Sequence, residues 1–329
     1  MSLKVFNDIE RNHTFFERGF VKYGSINKDS VRALIELSNY LNIPDYNGCD
    51  YNCGMNSDIY ELRRRMHDGI IEIIGNQIKK LLVDFNTYSA TFVNKYPNDN
   101  CFVHAHQDFT YSNEPEIPSV MCWIPLVDVD IDNGAMGFIP QSNHFYKHIR
   151  AFPFPFAKTS VSENEIRLMK YFEIVDMKAG ELLFFMNNTI HGSFGNYSNS
   201  CRYALTINFY HKDEKILAYI HNPKTQGKTI LKFEVQPHFI VENNNLLIQE
   251  MYSKGNIDVG LPVVEELPYI TETVSWENIE EKLNASQIKP NPQYSKIVDD
   301  YLKFQNNKNK TESIKDKLYN FYKKVTLKI

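Results

Sequence analysis

Residues 181–210 read ELLFFMNNTIHGSFGNYSNSCRYALTINFY. Two aromatic and β-branched runs, Glu181–Met186 and Arg202–Tyr210, flank a connection rich in Asn, Ser and Gly, the pattern of two strands joined through turns. His191 stands just past the first run and Arg202 opens the second, eleven residues later. The same texture extends outward over residues 87–213. Tyr88–Lys95, Cys101–His106, Val120–Val127, Met136–Ile139 and Glu173–Met177 also read as strands, with turns at Pro97–Asn100, Asp132–Gly134 and Lys178–Gly180. Strands at hairpin spacing without intervening amphipathic helices predict an antiparallel barrel or jelly roll.

The flanks read differently. Residues 1–86 are expected to be mainly helical. Ser57-Asp58 offers a cap, and Ile59, Leu62, Met66, Ile70, Ile73, Ile74, Ile78, Leu81 and Leu82 recur at a spacing of three to four. Residues 144–171 interrupt the strands with Phe152-Pro-Phe-Pro-Phe156 and a short helical run, the profile either of a lid over the barrel mouth or of an excursion packed permanently on the barrel. Phe152, Phe154, Phe156 and Tyr171 offer it apolar walls, and Lys147 and Arg150 charges for an anionic substrate group. Residues 214–329 form a C-terminal extension of mixed character, ending in an amphipathic basic helix over Ser313–Lys328.

Composition removes several classes. With 43% hydrophobic residues, 22 Phe and 20 Tyr, the 329-residue chain can build a sizeable core. A net charge of −4 argues against a nucleic-acid binder. No apolar run approaches the roughly 18 residues of a bilayer span, and the acidic start does not resemble a secretory signal. Five cysteines (Cys49, Cys53, Cys101, Cys122, Cys201) without C-x-x-C spacing exclude a disulfide framework and a standard zinc finger. A cytoplasmic protein in a reducing compartment is expected.

Two H-x-D triplets occur, His106-Gln107-Asp108 and His211-Lys212-Asp213. With ten His and 18 Asp in 329 residues, chance supplies about one for every two such chains, so context must choose between them. On a strand, residues i and i+2 share a face, so His106 and Asp108 can converge on one metal. His191 supplies a third ligand from a later strand. Two histidines and one carboxylate with open positions form the facial triad of non-haem Fe(II) oxygenases. Arg202 suits bidentate capture of a dicarboxylate co-substrate. His211 and Asp213 have no comparable sequel. His104 shares strand parity with His106 and would suit a cupin, but the Glu a cupin needs is replaced by Thr110.

The ordered set Asn94-Lys95-x-Pro97, His106-Gln107-Asp108, Trp123, Asn133-Gly134, Ile139-Pro140-x-Ser142, His191-Gly192-Ser193 and Arg202 resembles the phytanoyl-CoA dioxygenase (PhyH-like) family of Fe(II)/2-oxoglutarate-dependent oxygenases, over roughly residues 87–213. The resemblance implies a mainly β protein with a double-stranded β-helix (cupin-like jelly roll) core and flanking helices. It implies that His106, Asp108 and His191 hold Fe(II), and that Arg202 and Ser193 hold the distal carboxylate of 2-oxoglutarate. It also implies that Trp123 and Thr91 line the co-substrate site, and that O2 is the second co-substrate. A family motif that would include His144 is one residue longer here, Pro140-Gln141-Ser142-Asn143-His144. The expected reaction is hydroxylation of a small organic substrate, free or carrier-bound, with release of succinate and CO2. Two other classes fit the residues: a cupin-like metal-dependent isomerase or lyase, and a non-catalytic β-barrel binding protein.

Overall fold

The strands of the core form where side chains alternate between two buried faces. The computed structural model describes residues 3–43, 51–114, 116–152, 160–269 and 274–307. It begins with α1 (Ile9–Arg18), β1 (Phe20–Ser25), α2 (Lys28–Leu41), β2 (Tyr51–Cys53) and α3 (Tyr60–Ile70), which continues through a π-helical turn into α4 (Asn76–Lys79). Then follow β3 (Phe85–Lys95), β4 (Val103–His106), β5 (Val120–Pro125), β6 (Met136–Phe138), α5 (Glu165–Leu168), β7 (Glu173–Ile174), β8 (Glu181–Met186), β9 (His191–Ser193) and β10 (Ala204–His211). The C-terminal part adds β11 (Ile216–His221), β12 (Thr229–Val235), α6 (Phe239–Glu242), α7 (Asn245–Ser253), β13 (Glu265–Pro268), α8 (Trp276–Ala285) and a helix over 292–307.

Six strands form one antiparallel sheet in the order β1-β8-β5-β10-β3-β2, and four form a second, β4-β9-β6-β7. This is the expected jelly roll with flanking helices. Period-two alternation divides the large sheet. Ala90, Phe92, Cys122, Ile124, Phe184, Leu205 and Ile207 face outward and pack with Phe15, Leu34, Met66, Ile70 and Ile74 from the N-terminal helices. Burial of each such large side chain contributes about 1.5–3 kcal/mol. The residues between them, including Thr91, Val93, Met121, Trp123, Thr206 and Asn208, line an internal cavity. Register aligns these in rows: Thr206 pairs with Thr91 and Trp123, and Asn208 with Ser89 and Met121.

One expectation needs correction and two gain detail. The N-terminal part, mainly helical, also supplies β1 and β2, the two edges of the large sheet. Both are short, and β1 buries only Phe20 and Val21 fully, which leaves too few alternations to see in sequence. The helical stripe begins at Tyr60, so Ile59 lies outside it and is exposed, while the Ser57 hydroxyl accepts from the Ile59 N–H. The segment over residues 144–171 is held at both described flanks. Phe152 exchanges backbone hydrogen bonds with Tyr219 and His221 of β11, and Val161, Leu168 and Met169 are buried with Ile279, Leu283 and Val298. Phe154, Phe156 and the basic helix expected over Ser313–Lys328 lie outside the described residues. Among the described residues no helix is long and apolar enough to cross a membrane.

Candidate active site

His106 ends β4 and His191 begins β9, and the two are register partners across that antiparallel pair. Four residues of β4 (Val103 to His106) oppose three of β9 (Ser193 to His191), so β4 carries a bulge. The bulge turns both Val103 and His106 into the cavity and sends His104 elsewhere. The His104 ring lies 3.0 Å from Glu165 Oε1 and 3.0 Å from the Tyr301 hydroxyl, so the expected shared face of His104 and His106 does not form. Asp108 also converges by a route other than strand parity. It lies in the coil after β4, where its N–H donates to the Asn187 carbonyl at 2.7 Å.

One ligand atom from each of His106, Asp108 and His191 lies within 4.8 Å of the others. His106 Nε2 is 3.6 Å from Asp108 Oδ1, and His191 Nε2 is 3.5 Å from Asp108 Oδ2. Each imidazole uses its other nitrogen on a backbone carbonyl: His106 Nδ1 donates to His104 O and His191 Nδ1 to Thr189 O, both at 2.8 Å. A carbonyl only accepts, so each Nδ1 carries the proton and each Nε2 directs a lone pair at the shared centre. Asp108 Oδ2 is buried without a hydrogen-bond partner. Burial pushes His191 down to about 4, against the pull of Asp108. Burial also opposes ionisation of Asp108, but His191, His106 and Arg150 outweigh it and hold the carboxyl below its usual range. The donor set fits a divalent metal with three protein ligands on one side and open positions on the other.

The second half of the site lies on the large sheet. Arg202 is buried; Nη1 donates to Gly134 O at 3.0 Å and Nη2 to Val93 O at 2.8 Å. Of the five guanidinium N–H donors, three remain, and Nε is buried with no partner. The guanidinium carbon lies 5.3 Å from the Trp123 ring centroid. Ser193 Oγ accepts from Lys95 Nζ at 2.7 Å, which leaves its own proton to donate. Lys95 also donates to Phe194 O, and its backbone bridges to that of Arg202. The cavity, of about 220 Å³, is lined by all seven residues to which the family resemblance gives a role: Thr91, His106, Asp108, Trp123, His191, Ser193 and Arg202.

Lys95 received no role from sequence, although it carries the inward parity of Ser89, Thr91 and Val93. A lysine in that series was a signal that could have been used. Arg150 must be reassigned. It is buried, pairs with Glu114 at 2.8 Å and donates from Nε to Asp108 O at 2.6 Å, so it braces the ligand loop and presents no charge to a substrate. Lys147 is exposed and does not line the cavity. The imidazole of His144 contacts the Asn143 amide, also outside the cavity.

Residues 58–204 match the family model described as phytanoyl-CoA dioxygenase (PhyH). The matched stretch is under half of the chain and contains the ordered motifs that carry the resemblance, His106 to Arg202 among them. Among solved structures it is similar to SnoK, a non-haem α-ketoglutarate-dependent carbocyclase from nogalamycin biosynthesis, at 17% identity and TM-score 0.44, covering 78% of this chain and 96% of that one. It is similar to HygX from Streptomyces hygroscopicus, solved with nickel and 2-oxoglutarate, at 11% identity and TM-score 0.45, covering 61% and 86%. A third similar structure is EvdMO1, at 17% identity and TM-score 0.43, where 61% of this chain spans only 49% of that one. No curated protein sequence matches.

Proposed function

We propose that this protein is an Fe(II)/2-oxoglutarate-dependent dioxygenase that hydroxylates a small organic substrate and releases succinate and CO2. The observation that carries the reading is one cavity holding both a three-ligand cluster with its lone pairs aimed inward and a buried arginine with donors to spare. His106, Asp108 and His191 would hold the iron. Bound there, iron supplies the activation of O2 that couples oxidative decarboxylation of the keto acid to oxygen insertion into substrate.

The chain's own residues bind, orient and exclude water. Arg202 offers a planar pair of N–H groups to the distal carboxylate. Lys95 orients the Ser193 hydroxyl so that its proton points to the same group. Trp123 and Thr91, across Thr206 in one row, wall the space between carboxylate and metal. The two Nδ1–H bonds keep both imidazoles in the ligating tautomer.

Anaerobic addition of Fe(II) and 2-oxoglutarate, followed by visible absorption, tests the reading. A weak metal-to-ligand charge-transfer band is expected, together with succinate formation on admitting O2. Metal binding without the band would favour a cupin-like isomerase or lyase. Neither metal nor keto-acid binding would leave a β-barrel binding protein.

A further inference from the structure

Charge is distributed unevenly in the cavity. Among the described residues that line it, Arg202 is the one Lys or Arg and Asp108 the one carboxylate. On the function proposed above, on which this inference rests, both are occupied, by the keto acid and by the metal. Arg150 is committed to Glu114, and Lys147 lies outside. A substrate anion or ammonium entering here would lose its hydration without gaining a counter-charge.

What remains free is polar but neutral. Asn208 follows Thr206 on the inward face of β10, and its Nδ2 donates to Ser89 Oγ at 3.0 Å. Asn208 Oδ1 is buried with no donor, and the Ser89 hydroxyl proton is still available. The pair lines the same cavity as the His106–Asp108–His191 cluster; Met121, register partner of Asn208, is also partner to Phe185, whose ring centroid is 4.8 Å from that of His191. Beyond the pair the wall is aromatic. Phe109 stacks on Phe152 at 3.8 Å, Tyr111 sits 5.8 Å from Phe152, and the backbone bonds of Phe152 to β11 fix the stack in place.

The geometry points to an uncharged substrate with a ring-sized apolar body and one hydroxyl or amide group, the body against Phe109, Tyr111 and Phe152 and the polar group against the Asn208–Ser89 pair. The anionic handle expected from Lys147 and Arg150 is replaced by a neutral one. A site that hydrogen-bonds a substrate hydroxyl rejects the analogue lacking it, because its own buried polar groups are then left without partners.

Saturation-transfer NMR on the full chain loaded with Zn(II) and 2-oxoglutarate provides the test, using four probes that share one ring: benzyl alcohol, toluene, benzoate and benzylammonium. Benzyl alcohol should bind about tenfold more tightly than toluene, the worth of one buried hydrogen bond, and the two ions should show no transfer. Asn208→Leu should abolish the preference for benzyl alcohol over toluene, and the isosteric Asn208→Asp should shift binding toward benzylammonium. Equal binding of benzoate or benzylammonium by the parent protein, no binding of benzyl alcohol, or an unchanged preference in both variants would overturn the inference. Saturation of 2-oxoglutarate itself is read in the same tube, so failure of the co-substrate assignment is seen separately from failure of the substrate class.

Discussion

Replacing Arg202 tests the co-substrate site most directly, and the structure sets the size of the effect. Two of its five N–H groups hold Gly134 O and Val93 O, leaving three for a ligand carboxylate. Arg202→Lys keeps the charge but gathers three N–H groups on one nitrogen, which cannot serve both carbonyls and also grip a carboxylate in two places. Loss of one charged hydrogen bond costs about 1.5–3 kcal/mol, so affinity for 2-oxoglutarate should fall roughly 10- to 150-fold. Arg202→Met removes the charge as well, and a loss of about 2–5 kcal/mol corresponds to roughly 30- to 5,000-fold. The methionine also strips two buried carbonyls of their donor, at about 1–3 kcal/mol each, so its fold must be verified by thermal melting before titration. The assay is calorimetric titration of 2-oxoglutarate into Zn(II)-loaded protein. A folded Arg202→Met variant that binds the keto acid as the parent does would refute the assignment.

Asp108→Ala and His191→Ala should each abolish stoichiometric Fe(II) binding while leaving the circular dichroism spectrum intact, because neither opens a large apolar cavity; full metal occupancy measured by elemental analysis would remove the ligand assignment. Lys95→Met should weaken 2-oxoglutarate binding by about tenfold, less than Arg202→Met, since Lys95 acts through the Ser193 hydroxyl; a titration with no change would leave it a structural residue. His67, buried and edge-on to His238 at 4.7 Å, is pushed down to about 4 by burial and by that neighbour. Its folded value is depressed, so its contribution is full above the unfolded value near 6.5 and is lost as pH falls toward 4. By pH 5 the loss should be roughly 2 kcal/mol; denaturant midpoints of His67→Leu at pH 7.5 and 5 should differ less than those of the parent, and equal slopes would refute this.

The central strands could be read from sequence because their alternation is local. Glu181–Met186 matches β8 residue for residue, and β3, β5 and β10 differ from the expected runs only at their ends. Convergence of His106, Asp108 and His191 was legible from the order of the motifs, but the means was not. A bulge in β4 is a property of pairing between strands about 85 residues apart, and a shift of register leaves no mark on either strand alone. The Arg150–Glu114 pair was equally hidden, since a charged residue in a Pro- and Phe-rich stretch reads as exposed until its partner is placed. Asn208 looked like an ordinary strand residue, and only the register that sets it beside Ser89 and Met121 gives it meaning.

The C-terminal residues were the least legible part, and their contacts explain why. Their strands and helices face two parts of the core that the chain builds much earlier. Arg63 of α3, buried, donates to Val241 O at 2.7 Å and Glu242 O at 3.2 Å. Asn244 donates to Met55 O and Ser57 O in return. These bonds fix α6 and α7 where Ile240 and Asn245 reach the cavity wall. On the other side, the helix over 292–307 places Tyr301 against His104 and stacks it on Phe102 at 4.0 Å. The backbone carbonyl of that same His104 orients the His106 ring. The C-terminal part thus meets the cavity wall directly and the His106 imidazole at one remove, so its amino-acid choices answer to surfaces that no local pattern within residues 214–307 can reveal.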